Sequence, residues 1–393
     1  MENVINRRSL LRRSLLAAGG ATLGTALPWG ALATPTLGEQ PFWMNKPRLI
    51  SRPFNPNDYD IKARLLANEN KYGPSQLAKK AIVESVDIGN LYAHQEVQTL
   101  MKMLAEKEGV KPEQVILGPG STDLLEKIAV ISFMDGTGNV ISADPAYMSV
   151  VRTAQGVGAK WKNIPCKKDW SHDLDAMLAA IDSETKLIYV CNPNNPTAAI
   201  TDGKALWEFC SKASEKVPVF VDEAYLEFMD EKDQKSMVGL VAEGKDVILS
   251  RTFSKIHGMA GLRVGYVVAK EERIESINKI LRSSYNPAVT SLKAAMASLK
   301  DLDYLKMSKE KNSEAKAFVY KEFDKLGIEY IPSHTSFILF PLQIDGEKYM
   351  KGMFEKGVGV RLFEVDGKPW GRVSMGTLDE LKLFTKTLKQ VIA

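Results

Sequence analysis

Residues 250–266 read SRTFSKIHGMAGLRVGY, and this stretch sets a lysine, Lys255, among apolar and small residues. The run VILS leads into the stretch and VGYVV ends it, so we expect Lys255 to lie between two buried strands rather than on a solvated face. A buried ammonium group loses its hydration, which is costly unless the group has a partner or a chemical task. One such task is to hold a cofactor as an imine, a hypothesis that requires the rest of the chain to supply the other partners of that cofactor.

Apolar runs rich in Val, Ile, Leu and Tyr alternate with amphipathic segments around this stretch. Helices are expected from Ser121, after Pro145 and from about Asp202. The alternation predicts an α/β fold with a mostly parallel central sheet covered by helices, and its functional groups should lie at the strand ends. The predicted strands are VILG (115–118), NVISA (139–143), KLIYVC (186–191), VPVFVDE (217–223), DVILS (246–250) and VGYVVAK (264–270).

The chain divides into four predicted parts. Residues 1–33 form an export signal, and the proline-rich residues 34–80 form an extended arm and a segment that contributes to the small lobe. Residues 81–290 form the large cofactor-binding domain. Residues 291–393 form a smaller α/β domain that begins with a lysine-rich helix and contains the strands TSFILFPL and GRVSMG.

The leader combines two arginine pairs with an uncharged stretch. Residues 6–12 read NRRSLLR, residues 14–38 carry no charge, and residues 31–33, Ala-Leu-Ala, offer a small-residue cleavage site. The pattern resembles a twin-arginine export signal, which predicts a periplasmic protein whose membrane contact is limited to that signal. In the alternative, an uncleaved signal anchors the protein, because the uncharged stretch is just long enough to span a bilayer.

The charge distribution argues against a nucleic-acid partner, and the histidine positions argue against a metal site. The formal net charge of +4 comes mostly from residues 1–33, where four arginines face one glutamate. The rest is close to neutral without a basic stripe, so we expect no nucleic-acid partner. The four histidines lack metal-ligand spacing, so we expect no metal site.

A glycine turn opens the helix predicted from Ser121. In GPGSTDLLEKI, residues 118–128, two glycines precede Ser121 and Thr122. The first N–H groups of such a helix and the positive end of its dipole suit a phosphate. By itself the pattern also fits an ordinary turn with a serine or threonine cap.

Two further motifs follow buried strands. VCNPNNPTAAI, residues 190–200, can present the amide of Asn195 to a ring oxygen, although its asparagines could also satisfy the turn backbone. VFVDEAYLEF, residues 219–228, ends an apolar strand with Asp222, a carboxylate that needs a partner to offset its desolvation. A protonated pyridine nitrogen would be such a partner, and an arginine would be another.

The motifs NPNNPT, DEAY and SRTFSKIHGMAGLR, in this order and spacing, resemble those of the class I and II aminotransferases, most closely the histidinol-phosphate aminotransferase branch. The resemblance covers roughly residues 45–393. It implies the fold-type I architecture and the cofactor pyridoxal 5′-phosphate. It also implies an enzyme that moves an amino group between an amino acid, or an amine with an anionic tail, and a 2-oxo acid.

By motif position, the resemblance assigns five residues to the cofactor ring. Lys255 would form the imine and later move the proton, and Asp222 would keep the pyridine nitrogen protonated. Asn195 and Tyr225 would hydrogen-bond the phenolic oxygen. Tyr147, in DPAYMSV, would stack on the ring.

Other residues are assigned to the cofactor phosphate. It would meet the helix start, two hydroxyls after the strand at 246–250, and a guanidinium whose fork suits phosphate. These residues are Ser121, Thr122, Thr252, Ser254 and Arg263.

Tyr92, in NLYAHQE, matches a tyrosine that reaches the phosphate of the neighbouring subunit, which implies a homodimer. The family commonly has proline after this tyrosine and glycine after NPT, where this chain has Ala93 and Ala198.

Three residues are candidates for the substrate. Arg372, in WGRVSMGT, falls where the family places an arginine for the anionic end of its substrate, and its fork would hold a carboxylate or a phosphate. Arg361, in VGVRLFE, is a second candidate, and a surface charge beside Glu364 explains it equally well. Asn70 belongs to Asn68-Glu69-Asn70, in LLANENKYGPS, which resembles the family segment that borders the substrate pocket and also fits a turn at the start of a helix.

The sequence leaves alternatives open for both the reaction and the substrate. Histidinol phosphate is a cytoplasmic intermediate, so an export signal favours another anionic amine over histidinol-phosphate transamination proper. A decarboxylase, lyase or racemase on the same scaffold would use the same cofactor. A non-catalytic binding protein is disfavoured because Lys255 and Asp222 are both present.

Overall fold

A seven-stranded sheet dominates the computed structural model, which describes residues 58–392 except position 282. Its strands are β2 (Val115–Gly118), β3 (Asn139–Asp144), β4 (Lys160–Pro165), β5 (Thr185–Cys191), β6 (Val219–Asp222), β7 (Val247–Thr252) and β8 (Gly265–Val268). The order is β2-β8-β7-β6-β5-β3-β4, and β8 is antiparallel to both neighbours while the other pairs are parallel. The predicted α/β fold with a mostly parallel sheet is confirmed.

Helices surround this sheet and the C-terminal strands. They are α1 (Gln76–Ser85), α2 (His94–Glu108), α3 (Ser121–Phe133), α4 (Ser149–Gly156), α5 (Leu174–Ala179), α6 (Gly203–Ala213), α7 (Val238–Ala242), α8 (Glu271–Ile280), α9 (Val289–Lys300), α10 (Leu302–Leu326), α11 (Gly346–Glu355) and α12 (Leu378–Ile392). Short 3₁₀ turns occupy Val86–Ile88, Pro112–Gln114, Leu226–Phe228 and Ala260–Leu262.

The central strands are buried on both faces. Every residue of β6 and β7 is buried. Side chains alternate across the sheet, so Phe220 packs in one apolar core while Val219 and Val221 pack in the other. The long apolar runs of the sequence reflect this burial on both faces.

The edge strand β4 was not among the predicted strands. Its residues are all exposed or half-buried, and it contains Lys160 and Lys162. An edge strand of this kind lacks the continuous apolar run that identified the inner strands.

A smaller antiparallel sheet follows in the C-terminal part. Its strands are β9 (Phe337–Pro341), β11 (Arg361–Val365) and β12 (Lys368–Ser374), in the order β11-β12-β9. Beside it, β1 (Ala63–Arg64) pairs in parallel with β10 (Val358–Gly359). One apolar core joins β1, α10, α11 and α12 to these strands, so residues soon after position 60 belong to the C-terminal layer.

The predicted export signal and the first part of the predicted arm lie outside the described residues. Between residues 58 and 392, the structure contains no helix long and apolar enough to cross a membrane. The division of the chain at positions 80 and 290 stays a prediction.

Candidate active site

Lys255 lies three residues beyond β7, at the edge where the parallel strands end. Its Nζ donates to the carbonyl oxygen of Asn68 at 3.4 Å and lies 5.6 Å from the centre of the Tyr225 ring. Burial, followed by the positive charge of Arg372, lowers the pKa of Lys255 to about 8, while Asp222 acts in the opposite direction. A lysine with this pKa has a neutral fraction near pH 7 and can act as a nucleophile or base.

Asp222 is the last residue of β6 and is 3% exposed. Its Oδ1 accepts hydrogen bonds from the Ser250 hydroxyl at 2.8 Å and the Ala224 N–H at 3.3 Å, and its Oδ2 accepts one from the Tyr189 hydroxyl at 3.2 Å. Burial raises the pKa of Asp222, and these bonds oppose that shift. All three donors are neutral, so a cationic N–H donor would relieve the desolvation of this carboxylate.

Tyr225 and Asn195 follow β6 and β5 and are both buried. The Tyr225 hydroxyl oxygen accepts a hydrogen bond from Asn68 Nδ2 at 2.9 Å, and burial raises the pKa of Tyr225. Asn195 Oδ1 accepts a hydrogen bond from Arg372 Nη1 at 2.7 Å. This bond occupies the amide oxygen of Asn195 and leaves its NH₂ group available as a donor.

The start of α3 and Arg263 form an anion cradle. Gly120, the residue before α3, has φ of +88° and provides no side-chain cap, so the first N–H groups of the helix remain available. A Cβ atom at Gly120 would overlap the Arg263 guanidinium. Arg263 itself has φ of 53° and lies at the end of a 3₁₀ turn, and its Nη1 lies 3.4 Å from the Ser254 hydroxyl.

The remaining residues assigned to the phosphate line the same cradle. Ser121 and Thr122 begin α3, and a Cβ at Gly265 would overlap the Ser121 amide. The Thr252 hydroxyl accepts the Ser254 N–H at 3.0 Å, which holds both hydroxyl residues in one turn. Backbone N–H groups, hydroxyls and a guanidinium thus surround a site that suits a phosphate.

Tyr147 lies close to the residues of the cradle, and Tyr92 lies away from them on the surface. Tyr147 is half-buried, and burial raises its pKa, while a hydrogen bond with the Thr122 side chain acts in the opposite direction. Tyr92 is 90% exposed, and its ring centre lies 5.9 Å from that of His94. The described chain therefore brings Tyr147 into the cluster but leaves Tyr92 on the surface.

Arg361 and Arg372 are cross-strand partners in β11 and β12. Arg361 Nε and Arg372 Nη2 both donate to the carbonyl oxygen of Leu66, at 3.2 and 3.3 Å. Arg372 is 5% exposed, and its guanidinium carbon lies 5.0 Å from the ring centres of both Phe337 and Phe363. Burial lowers the pKa of Arg372 to about 10, and the charge of Arg361 contributes to the shift.

The segment that contains Asn70 borders the site, but the Asn70 side chain is directed elsewhere. Its Nδ2 donates to the Ile256 carbonyl at 2.9 Å and lies 3.1 Å from the Ser308 hydroxyl. Asn68, which belongs to the same segment but was not predicted as a site residue, contacts both Lys255 and Tyr225. Its partners are far away in sequence, so the local motif identifies the segment but not the contacts of Asn68. A substrate contact by Asn70 stays a prediction.

The residues of this site fit pyridoxal phosphate. A lysine amine, a buried carboxylate whose hydrogen-bond donors within the described residues are all neutral, and an anion cradle match the aldehyde, the ring nitrogen and the phosphate of the cofactor, respectively. No cluster of three or more His, Cys, Asp or Glu side chains that could hold a metal ion occurs in the described part of the chain.

Comparison with known proteins agrees with this chemistry. The family model for aminotransferase class I and II matches residues 60–388. The chain is 36% identical over 332 residues to the histidinol-phosphate aminotransferase of Moorella thermoacetica, which covers 84% of this chain and 85% of that protein. It is also 36% identical over 330 residues to the protein of the same name from Brevibacillus brevis, covering 84% and 90%.

A solved structure supports the cofactor. The histidinol-phosphate aminotransferase from Sinorhizobium meliloti in complex with pyridoxal-5′-phosphate superposes with a TM-score of 0.79 and 27% identity, covering 88% of this chain and 97% of that one. The chain therefore belongs to the class I and II aminotransferases and is a pyridoxal-phosphate-dependent transaminase.

Proposed function

We propose that the enzyme exchanges amino groups between a primary amine that carries an anionic group and a 2-oxo acid, and that Arg372 binds the anion. The supporting observation is the buried guanidinium of Arg372. Its Nε has no hydrogen-bond partner, and no carboxylate pairs with it, among residues 58–392. Burying an unpaired cation is costly, so this position favours an anionic ligand.

Arg361 supports the same proposal. It lies opposite Arg372 in the β11–β12 pair, and its Nε donates to the Leu66 oxygen that also accepts from Arg372. Two guanidinium groups beside one acceptor oxygen concentrate positive charge, which suits a carboxylate or a phosphate. A binding role for Arg361 is part of this proposal, and a surface charge beside Glu364 remains the alternative.

The residues of the site divide the catalytic work. When bound, pyridoxal phosphate supplies an electrophilic aldehyde and an electron-withdrawing ring. Asp222 would keep the ring nitrogen protonated, and Asn195 and Tyr225 would hydrogen-bond the phenolic oxygen. Lys255 Nζ would take the proton from the substrate α-carbon and later release it to a different atom, because an amine with a pKa of about 8 both accepts and releases a proton near neutral pH.

L-Histidinol phosphate is a second candidate substrate. Relatives that are 36% and 35% identical carry the name histidinol-phosphate aminotransferase, and two guanidinium groups suit a phosphate monoester. The export signal proposed below favours a different anionic amine, since histidinol phosphate is a cytoplasmic intermediate.

A panel of amino donors tests these candidates. The protein is loaded with cofactor and mixed, without an acceptor, with L-histidinol phosphate, L-histidinol or acidic and aromatic amino acids, while the absorbance of the bound cofactor is followed. We expect anionic donors to convert the cofactor and L-histidinol to fail. Equal conversion by L-histidinol contradicts the anion-binding proposal, and release of CO₂ or of the opposite enantiomer identifies decarboxylation or racemisation instead.

We also propose a homodimer in which Tyr92 reaches the cofactor phosphate of the partner subunit. Large apolar side chains are exposed along α1 and the turns that follow it, a feature typical of a protein interface. The exposed fractions are 72% for Val83, 58% for Val86, 62% for Leu91 and 90% for Tyr92. Sedimentation velocity should show a dimer, and Tyr92→Phe should weaken cofactor binding. A monomer that binds cofactor with full affinity contradicts the proposal.

Finally, we propose that residues 1–33 direct twin-arginine export to the periplasm. The support is the order of Arg7 and Arg8, the uncharged stretch and the small residues at 31–33. A reporter fused to residues 1–38 should appear in the periplasmic fraction, and replacing Arg7 and Arg8 by lysine should abolish its export. Cytoplasmic retention of the unmodified fusion contradicts export, and a mature protein that stays in the membrane fraction supports an uncleaved anchor.

A further inference from the structure

We propose that Asn68 is a positioning residue that directs the hydroxyl proton of Tyr225 toward the phenolic oxygen of the cofactor. The proposal rests on the role of Tyr225 proposed above. Asn68 lies between β1 and α1 and is 3% exposed. Its side chain joins the C-terminal sheet to a residue that follows β6 in the large sheet.

The hydrogen bonds of Asn68 define which atom faces Tyr225. The backbone N–H of Asn68 donates to the Ser374 hydroxyl oxygen at 2.8 Å. The hydrogen of that hydroxyl is thereby left for Asn68 Oδ1, which lies 2.8 Å away. The remaining amide atom is Nδ2, which donates to the Tyr225 hydroxyl oxygen at 2.9 Å.

This bond restricts the direction in which Tyr225 can donate. A phenol O–H prefers the plane of its ring and therefore has two favoured directions. Because the Nδ2 hydrogen of Asn68 points at this oxygen, the O–H takes the favoured direction that points away from Asn68. The ring itself cannot turn freely, because it packs edge-on against Phe337 with 5.3 Å between ring centres and is 3% exposed. The only proton of the phenol is therefore free to serve the cofactor.

The backbone of Asn68 adds a second constraint. Its φ of 53° lies in the left-handed region, which glycine, asparagine and aspartate adopt most readily. Its carbonyl oxygen accepts a hydrogen bond from Lys255 Nζ at 3.4 Å. One residue thus touches the lysine and the tyrosine, and its conformation determines where both contacts are made.

Two substitutions separate the side chain from the backbone. Asn68→Gly keeps the left-handed conformation and removes the amide. Asn68→Asp keeps the volume but replaces the Nδ2 donor by an acceptor, which would draw the Tyr225 proton away from the cofactor. Asn139→Gly is the matched control, because Asn139 is also 3% exposed and bonded through its side chain but begins β3, at the opposite end of the sheet.

The readouts are the pH midpoint of the bound-cofactor absorbance and the first-order rate of the half-reaction with a saturating donor. We expect Asn68→Gly to move the midpoint in the same direction as Tyr225→Phe and to lower the rate about tenfold, the value of one hydrogen bond. Asn68→Asp should lower the rate further. In the double variant Asn68→Gly/Tyr225→Phe, both effects should equal those of Tyr225→Phe alone, because Asn68 acts through the tyrosine hydroxyl.

Clear outcomes overturn the proposal. A folded Asn68→Gly protein with the wild-type absorbance midpoint contradicts it, and so do effects that add fully in the double variant. A midpoint shift of equal size in Asn139→Gly shows a general loss of structure and also contradicts it. If Asn68→Gly fails to fold, the pH midpoint of the bound-cofactor absorbance is measured in Asn68→Asp instead, and a wild-type midpoint there contradicts the proposal. That measurement needs bound cofactor but no turnover, so it tests the role of Asn68 even if the proposed substrate class is wrong.

Discussion

The substitution Arg372→Lys tests how the enzyme recognises its substrate. Arg372 Nη1 and Nη2 hold the Asn195 and Leu66 oxygens at 2.7 and 3.3 Å, and Nε lacks a partner within the described chain. Lysine keeps the charge but replaces this planar fork by a single ammonium group. We therefore expect the variant to fold and to bind cofactor, but to lose at least one charge-assisted hydrogen bond to the substrate anion.

The size of the loss follows from that one bond. A hydrogen bond to a charged group contributes about 1.5–3 kcal/mol, which corresponds to roughly a 10- to 150-fold decrease in kcat/KM. A donor without an anionic group never makes the bond. Any disturbance of Asn195 affects both kinds of donor, so the ratio of their kcat/KM values isolates the contribution of the anion.

The assay compares an anionic donor with its neutral analogue under single-turnover and steady-state conditions. Arg273→Lys is the matched control, because Arg273 makes a two-point ion pair with Asp246 beside the opposite end of β7. We expect that control to leave both donors unchanged. If Arg372→Lys lowers kcat/KM equally for the two donors, or leaves the anionic donor unaffected, Arg372 does not bind the substrate anion.

Three further predictions concern the cofactor site. In protein stripped of cofactor, Lys255 should react with an amine-acylating reagent with a pH midpoint of about 8, because burial lowers the pKa of Lys255 below the usual lysine range. Peptide mass spectrometry measures the acylated fraction at each pH, and a midpoint above 10 contradicts the prediction. Gly120→Ala should weaken cofactor binding at least about tenfold by placing a methyl group against the Arg263 guanidinium. Gly109→Ala, where φ is +69° and no atom lies near, should reduce only the melting temperature, and equal loss of cofactor in both variants refutes the steric argument. Asp222→Asn should lower the half-reaction rate about a hundredfold, because a neutral amide cannot stabilise a protonated ring nitrogen, and a rate near that of the wild type contradicts that role.

The strand-end motifs could be interpreted from sequence because each is local. Asp222 closes a fully buried run, and Lys255 follows another such run by three residues. Parallel strands end at one edge of their sheet, so residues that follow different strands must meet there. The same local signals identified the glycine turn before Ser121, whose open N–H groups the structure shows.

Other parts of the site depend on contacts between distant segments. Asn68 and Ser374 are 306 residues apart in sequence, and the Leu66 carbonyl meets Arg361 and Arg372 only because β1 lies against the C-terminal strands. The antiparallel register of β11 and β12 makes the two arginines neighbours. Neither β1 nor β11 stands out in the sequence, because β1 has two residues and β11 is mostly half-buried.

The sequence by itself determined the fold class and the order of the strand-end residues, because these follow from apolar runs and turns, and the resemblance of its short motifs to the class I and II aminotransferases implied the cofactor. Only the tertiary structure decided that Asn68 faces Tyr225 while Asn70 turns toward Ile256, and that two arginines converge on one carbonyl oxygen. Side-chain direction depends on packing partners and hydrogen bonds supplied by remote residues, and no periodicity along the chain encodes them.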